Sequence, residues 1–196
     1  MDVLFDDLVG QSLCGGRYLI DSYLDKGSYG KVYAVTDMCS EAKGGSDLKP
    51  LVVKILPSSK NALAEIRIFR KLQKKIGRRQ AKNKETVPGL GKVAELVKWG
   101  EFYHVTLDGK YWSGNSQVFT EDNFTPCLYM IMPRYGMNLE KLFLKRKMQF
   151  SEEEILSLGL QLVNILEQIH DAGFVFNDLK LDNILLDNGV SESELL

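Results

Sequence analysis

Histidine and cysteine are scarce in this chain: 196 residues hold two of the first and three of the second. Cys14, Cys39 and Cys127 are odd in number and widely separated, which supports neither a disulfide framework nor a zinc site. His104 and His170 have no companion ligands nearby in sequence, so packing or surface roles are expected of them. No apolar run approaches the roughly eighteen residues of a membrane span, so no membrane partner is expected. The start, MDVLFDDLVG, has acids where a secretory leader carries bases, and a cytoplasmic or nuclear setting is the expectation. With 44% hydrophobic and 26% charged residues, a mostly disordered chain is excluded.

Charge of one sign is missing locally. Residues 51 to 100 hold 13 Lys and Arg against 3 acids, whereas residues 151 to 196 hold 1 against 10. A net charge of −1 therefore hides two electrostatically different surfaces.

Residues 17 to 35, RYLIDSYLDKGSYGKVYAV, alternate apolar and polar residues around a glycine-bearing turn and read as a β-hairpin. The polar stretch that follows is expected to be loop, and LVVKIL, residues 51 to 56, a third strand. SSKNALAEIRIFRKLQKKIG reads as a helix of about four turns closed by Gly77, with loop after it. AELVKWGEFYHV reads as strand, a second hairpin turns at Asp108-Gly109, and CLYMIMPRYG, residues 127 to 136, gives a strand that stops at Pro133. Thereafter helices are expected from Leu139 to Phe143 and through SEEEILSLGLQLVNILEQIHDAG, where Ser151 and Glu154 form a capping box. Apolar residues nearly encircle that second helix, which predicts burial on most sides, although little chain remains to bury it. NILL, residues 183 to 186, reads as a strand.

Three features carry chemistry. Lys54 stands in an apolar strand, where a buried ammonium needs an anion. Glu65 falls on the helix stripe of Phe69, Leu72 and Ile76 and is the expected partner; a snorkelling Lys54 and a solvated Glu65 are the alternative. Gly27 and Gly30, flanking Ser28 and Tyr29, would leave backbone amides open to phosphate, although a hairpin turn needs glycine anyway. Asp178, Lys180 and Asn183 place a proton-accepting carboxylate, an ammonium and an amide oxygen within six residues, which are the groups phosphoryl transfer requires.

In this order, glycine turn, strand lysine, helix glutamate, apolar strand, long helix and D-x-K-x-x-N, the chain resembles the eukaryotic protein kinases over residues 17 to 196. Within them it is similar to the casein-kinase-one-like group and above all to the vaccinia-related kinases. CSEAKGGSDLKPLVVKI, VPGLGK with WGEF, and LYMIMPRYGMNLEKLF carry that likeness. The resemblance implies an α+β fold of two lobes: an N-terminal flank over 1–16, an N-lobe over 17–135 and the beginning of a helical C-lobe over 136–196. It implies ATP and Mg2+ as cofactors and transfer to serine or threonine of a protein, with acidic or already phosphorylated substrates among the options. Leu24, Val32 and Val52 would cover adenine from above and Leu185 from below. The turn residues Gly27, Ser28, Tyr29 and Gly30 would approach the phosphates, and Lys54, steadied by Glu65, would hold them. Met132 would be the gatekeeper, and the carbonyl of Pro133 and the amide of Tyr135 would read the adenine edge. Asp178 and Lys180 would be catalytic, and Asn183 a metal ligand.

Departures from the pattern shape the expectations. Asp25 replaces the first glycine of the phosphate turn, which predicts weakened nucleotide binding. Phe176 and Asn177 replace the usual His and Arg, which predicts retained packing and no phosphorylation switch through that arginine. The chain ends before any Asp-Phe-Gly-like motif, so a fragment with little activity of its own and an exposed apolar flank over 155 to 169 is expected. The rival readings are a pseudokinase or nucleotide-binding scaffold and an unrelated α+β binding domain. The basic run at 74 to 84 would be a solvated loop, a nuclear signal, a dock for anionic substrates or a nucleic-acid contact, with nucleic acid not favoured.

Overall fold

Seven strands in the order β1-β2-β3-β4-β7-β5-β6 form an antiparallel sheet, seen in a computed structural model that describes residues 8–27, 30–41, 49–83, 92–107, 110–111 and 124–188. They are β1 (Ser12–Leu13), β2 (Tyr18–Gly27), β3 (Gly30–Asp37), β4 (Leu51–Pro57), β5 (Lys98–Leu107), β6 (Lys110–Tyr111) and β7 (Phe124–Pro133). Four helices accompany them: α1 (Met38–Glu41), α2 (Lys60–Asn83), α3 (Leu139–Lys145) and α4 (Glu152–Asp171). The α+β class expected from the sequence is the class observed.

The chain divides into two units. The first comprises Met1–Phe69 and Glu95–Arg134, and the second Arg70–Ala94 and Tyr135–Leu196. In the first, strand alternation sorts side chains to two faces. Tyr18, Ile20, Tyr33, Val35, Val53, Ile55, Cys127, Tyr129 and Ile131 pack on one face, joined by Leu8 and Leu13 from the segment read as a flank. Leu56, Leu128 and Met130 on the other are covered by Ala62 and Ile66 of α2. β4 lies between β3 and β7, which explains its nearly continuous apolar sequence. At Gly100 of β5 a Cβ would fall 2.3 Å from the Tyr129 hydroxyl, so only glycine admits that ring.

The second unit has two small cores. Leu72, Ile76, Ile169 and Ala172 form one, and Leu139 and Leu142, with Met137, Phe150, Leu158, Ile184 and Leu186 against them, form the other. The Asn138 side chain accepts from the Lys141 amide and begins α3. The capping box at Ser151 and Glu154 is present, and Glu154 also pairs with Arg146. Its carboxyl is held below the usual glutamate range, first by the Ser151 amide and then by Arg146.

Four expectations are corrected. α2 does not stop at Gly77 but runs on to Asn83, because a glycine without positive φ is only a weak interruption between good helix formers. The stretch after β3 contains α1 where only loop was expected. NILL forms no strand, since only Leu185 pairs, in a bridge to Asn138. α4 is not buried on most sides: Ile169 alone is buried in it, and Ile155, Leu156, Leu160 and Val163 are exposed. The exposed flank, in contrast, is as expected. The turn at Asp108-Gly109 lies outside the described residues, but β5 and β6 on either side of it pair in register.

Candidate active site

The first unit holds one half of the candidate residues. β2 and β3 close on the pair Gly27 and Gly30, a two-residue connection whose Ser28 and Tyr29 lie outside the described residues. A Cβ on Gly30 would fall 2.2 Å from the Ile55 carbonyl oxygen, so close passage of β4 demands glycine there. The strand β2 bulges between Tyr23 and Asp25, and the Asp25 carboxylate accepts the Lys26 amide at 2.8 Å. Leu24 is half-buried on this strand.

Register assembles the remaining residues. Val32 lies opposite Lys54, which lies opposite Met130, and Ala34 lies opposite Val52, which lies opposite Met132. Directly paired residues share a sheet face, so Val32, Val52, Lys54 and Met132 stand together. Lys54 Nζ lies 3.4 Å from a Glu65 carboxylate oxygen, an ion pair between β4 and α2. The pair is made but is not buried: the Lys54 side chain is 24% exposed and that of Glu65 52%. Ile66, not Glu65, lies at the centre of the buried stripe of α2, and Glu65 sits at its edge. Such a pair adds little stability, which leaves Lys54 available to another anion. After β7 the Arg134 amide donates to the Pro50 carbonyl at 2.7 Å, which fixes the strand exit that follows Pro133.

The second unit holds the other half: Tyr135, Asp178, Lys180, Asn183 and Leu185. α4 leads into a segment without regular secondary structure, Lys180 is extended, and Leu181–Asn183 form one 3-10 turn. The Asn183 side-chain NH2 donates to both the backbone carbonyl and the carboxylate of Asp178, each at 2.8 Å. With both hydrogens used, its amide oxygen remains as a hard ligand suited to magnesium. Lys180 Nζ lies 3.8 Å from Asp178 and 3.4 Å from Asp182. Asp182 was missed in the sequence, although its place two residues from Lys180 was a signal. Asp178 is 70% exposed, which leaves its carboxylate open to an incoming group. Leu185 is exposed, and the chain around it is fixed because Gly136 donates to Leu186, Leu139 to Ile184 and Leu186 to Met137. The α3 cap Asn138 thus also sets the position of Leu185, a second role the sequence did not disclose.

The protein kinase domain family matches residues 115–193. The chain is 24% identical over 171 residues to the serine/threonine-protein kinase VRK1 of Caenorhabditis briggsae, covering 87% of this chain and 26% of that protein. It is 26% identical over 188 residues to the probable serine/threonine-protein kinase YbdM of Bacillus subtilis, covering 95% and 59%. It is 19% identical over 183 residues to the B1 kinase of variola virus, covering 93% and 51%. The chain thus spans between about a quarter and three fifths of these relatives' lengths. It resembles the protein kinases, as its motifs indicated, and the vaccinia-related kind among them.

Proposed function

We propose that this chain carries nucleotide-binding and catalytic-loop elements of a serine/threonine protein kinase that uses ATP and Mg2+. The observation that supports this best is the loop in which Asn183 holds Asp178 by two hydrogen bonds beside Lys180. An isolated Asp/Asn-rich turn has no need to aim a carboxylate, an ammonium and an amide oxygen outward together. MgATP, when bound, supplies the transferable phosphoryl group. On this reading Asp178 accepts the hydrogen bond of a serine or threonine hydroxyl and orients its oxygen. Lys180 offsets negative charge as it develops, and Asn183 presents its amide oxygen to the metal. Lys54 holds phosphate oxygens while Glu65 keeps its chain extended; Leu24, Val32, Val52, Met132, Tyr135 and Leu185 are the base-binding residues. The domain reading goes with it: residues 17–135 as nucleotide-binding lobe and 136–196 as the beginning of the helical lobe.

The second reading is a non-catalytic scaffold that binds nucleotide weakly, to which the Asp25 carboxylate at the phosphate turn, unfavourable to a bound phosphate, lends support. Two measurements separate these readings. ATP with magnesium should raise the melting temperature, and Lys54→Met should abolish the shift; no shift in the parent chain overturns both readings. Phosphate transfer to a protein substrate, measured on the full-length protein, should fall by about 10³ or more in Asp178→Asn. ATP binding without any transfer would favour the scaffold.

A further inference from the structure

Within the basic run of α2, Lys71, Lys74, Lys75 and Arg78 are all exposed as residues, but the Lys75 ammonium is engaged within the second unit. Its Nζ donates to the Ala172 carbonyl at 2.6 Å and stands 5.1 Å from the centre of the Phe174 ring. Ala172 is the C-cap of α4. The Gly173 amide returns to the His170 carbonyl at 2.8 Å and the Phe174 amide to Ile169 at 3.1 Å, the paired bonds of a Schellman closure. Gly173 has φ +78°, and a Cβ on it would come within 3.3 Å of Lys75 Nζ. The closing turn thus pairs the Ile169 and His170 carbonyls, and the Ala172 carbonyl, at the negative pole of the helix, meets the Lys75 cation.

Downstream, every side chain from Val175 to Leu181 is exposed, so none of them anchors the segment in a core. The loop is held in the cores of the second unit upstream by Ala172 and Phe174, with Lys75 against them, and downstream by Ile184 and Leu186 beside Leu139 and Leu142. We propose that Lys75 is a positioning residue for the loop that carries Asp178, acting through the Ala172 carbonyl and the Phe174 ring. Its importance for catalysis rests on the kinase reading above; its effect on loop geometry does not.

The test compares the parent chain with Lys75→Met, which keeps the aliphatic stem but loses charge and donor, and Lys75→Arg, which keeps both. In nitrogen-15 spectra the side-chain amide of Asn183 reports its bonds to Asp178. Lys75→Met should move that signal toward the value of a free amide and speed hydrogen exchange at Gly173 and Phe174 about fivefold, while Lys75→Arg restores both. A methionine variant that melts earlier with the Asn183 signal unmoved makes Lys75 a plain stabiliser and overturns the proposal, as does failure of arginine to rescue. Should the methionine variant not fold, Phe174→Leu carries the test, with the same signal moving in the same direction. In full-length protein, kcat should fall with KM for ATP unchanged. Absent phosphotransfer in the parent protein would count against the kinase reading alone, because the Asn183 signal decides the present proposal independently.

Discussion

Helices α2 and α4 are opposites. α2 carries nine of the chain's 25 Lys and Arg and only one acid, and still buries Ala62, Ile66, Leu72 and Ile76. α4 is apolar on nearly every side and buries Ile169 alone. α4 is nonetheless well formed, because its ends are closed: a capping box at Ser151 and a Schellman turn at Gly173 satisfy the terminal backbone groups. A helix can thus be specified by its ends while its faces await cover, and apolar periodicity states what could be buried, not what is.

The largest test of this contrast pairs two truncations. Ile66→Ala in α2 should cost roughly 2–5 kcal/mol of unfolding free energy, because a fully buried side chain leaves a cavity. Leu160→Ala in α4 should stay within about 0.5 kcal/mol, since that side chain is exposed. Urea denaturation of both variants reads the difference, and similar costs would mean that α4 is covered in solution. An intermediate effect is expected at Gly77, where an added Cβ meets nothing within 4 Å. Gly77→Ala should raise stability by about 0.5–1 kcal/mol if the helix continues through it, measured by thermal unfolding. Loss of stability would place the helix end near Gly77.

The smallest effect is that of Glu154. Its carboxyl is depressed in the folded chain, so its stabilising contribution is present above the ordinary glutamate pKa and is lost as pH falls through the depressed value. The advantage of the parent chain over Glu154→Gln, read as the urea midpoint between neutral and acid pH, should therefore shrink on acidification. An advantage independent of pH would show that the charge plays no part in the cap.

Legibility in the sequence followed the range of the interactions. The β2–β3 hairpin, the β4 lysine and the capping box are written in neighbouring residues, and each is present. The Lys54–Glu65 pair joins two elements only eleven positions apart, and helical spacing sufficed to propose it. Burial of that pair was not legible, because it depends on how far Ile66 turns the helix toward the sheet. Leu8 and Leu13 looked like a flank because a two-residue strand has no periodicity to read, yet both are buried in the core. The Lys75 bond to Ala172 spans 97 positions and ends on a backbone carbonyl, a partner that no side-chain pattern announces. That Asp178, Lys180 and Asn183 lie together was legible because six residues of chain suffice to bring them together, whereas the Asn138–Leu185 bridge spans the whole of α3 and α4.

Gly30 bears on how the nucleotide binding proposed for this turn can be dissected. The β4 carbonyl beneath it leaves no room for a methyl group, so Gly30→Ala would displace a central strand together with Lys54. Loss of ATP affinity in that variant would measure strand displacement, whatever the phosphates touch. Asp25, exposed and bonded to the amide of its own neighbour, is the position at which chemistry can be changed while the sheet is left in place. Asp25→Asn, which keeps the side chain's size and removes its charge, therefore tests the electrostatics of the turn apart from its architecture.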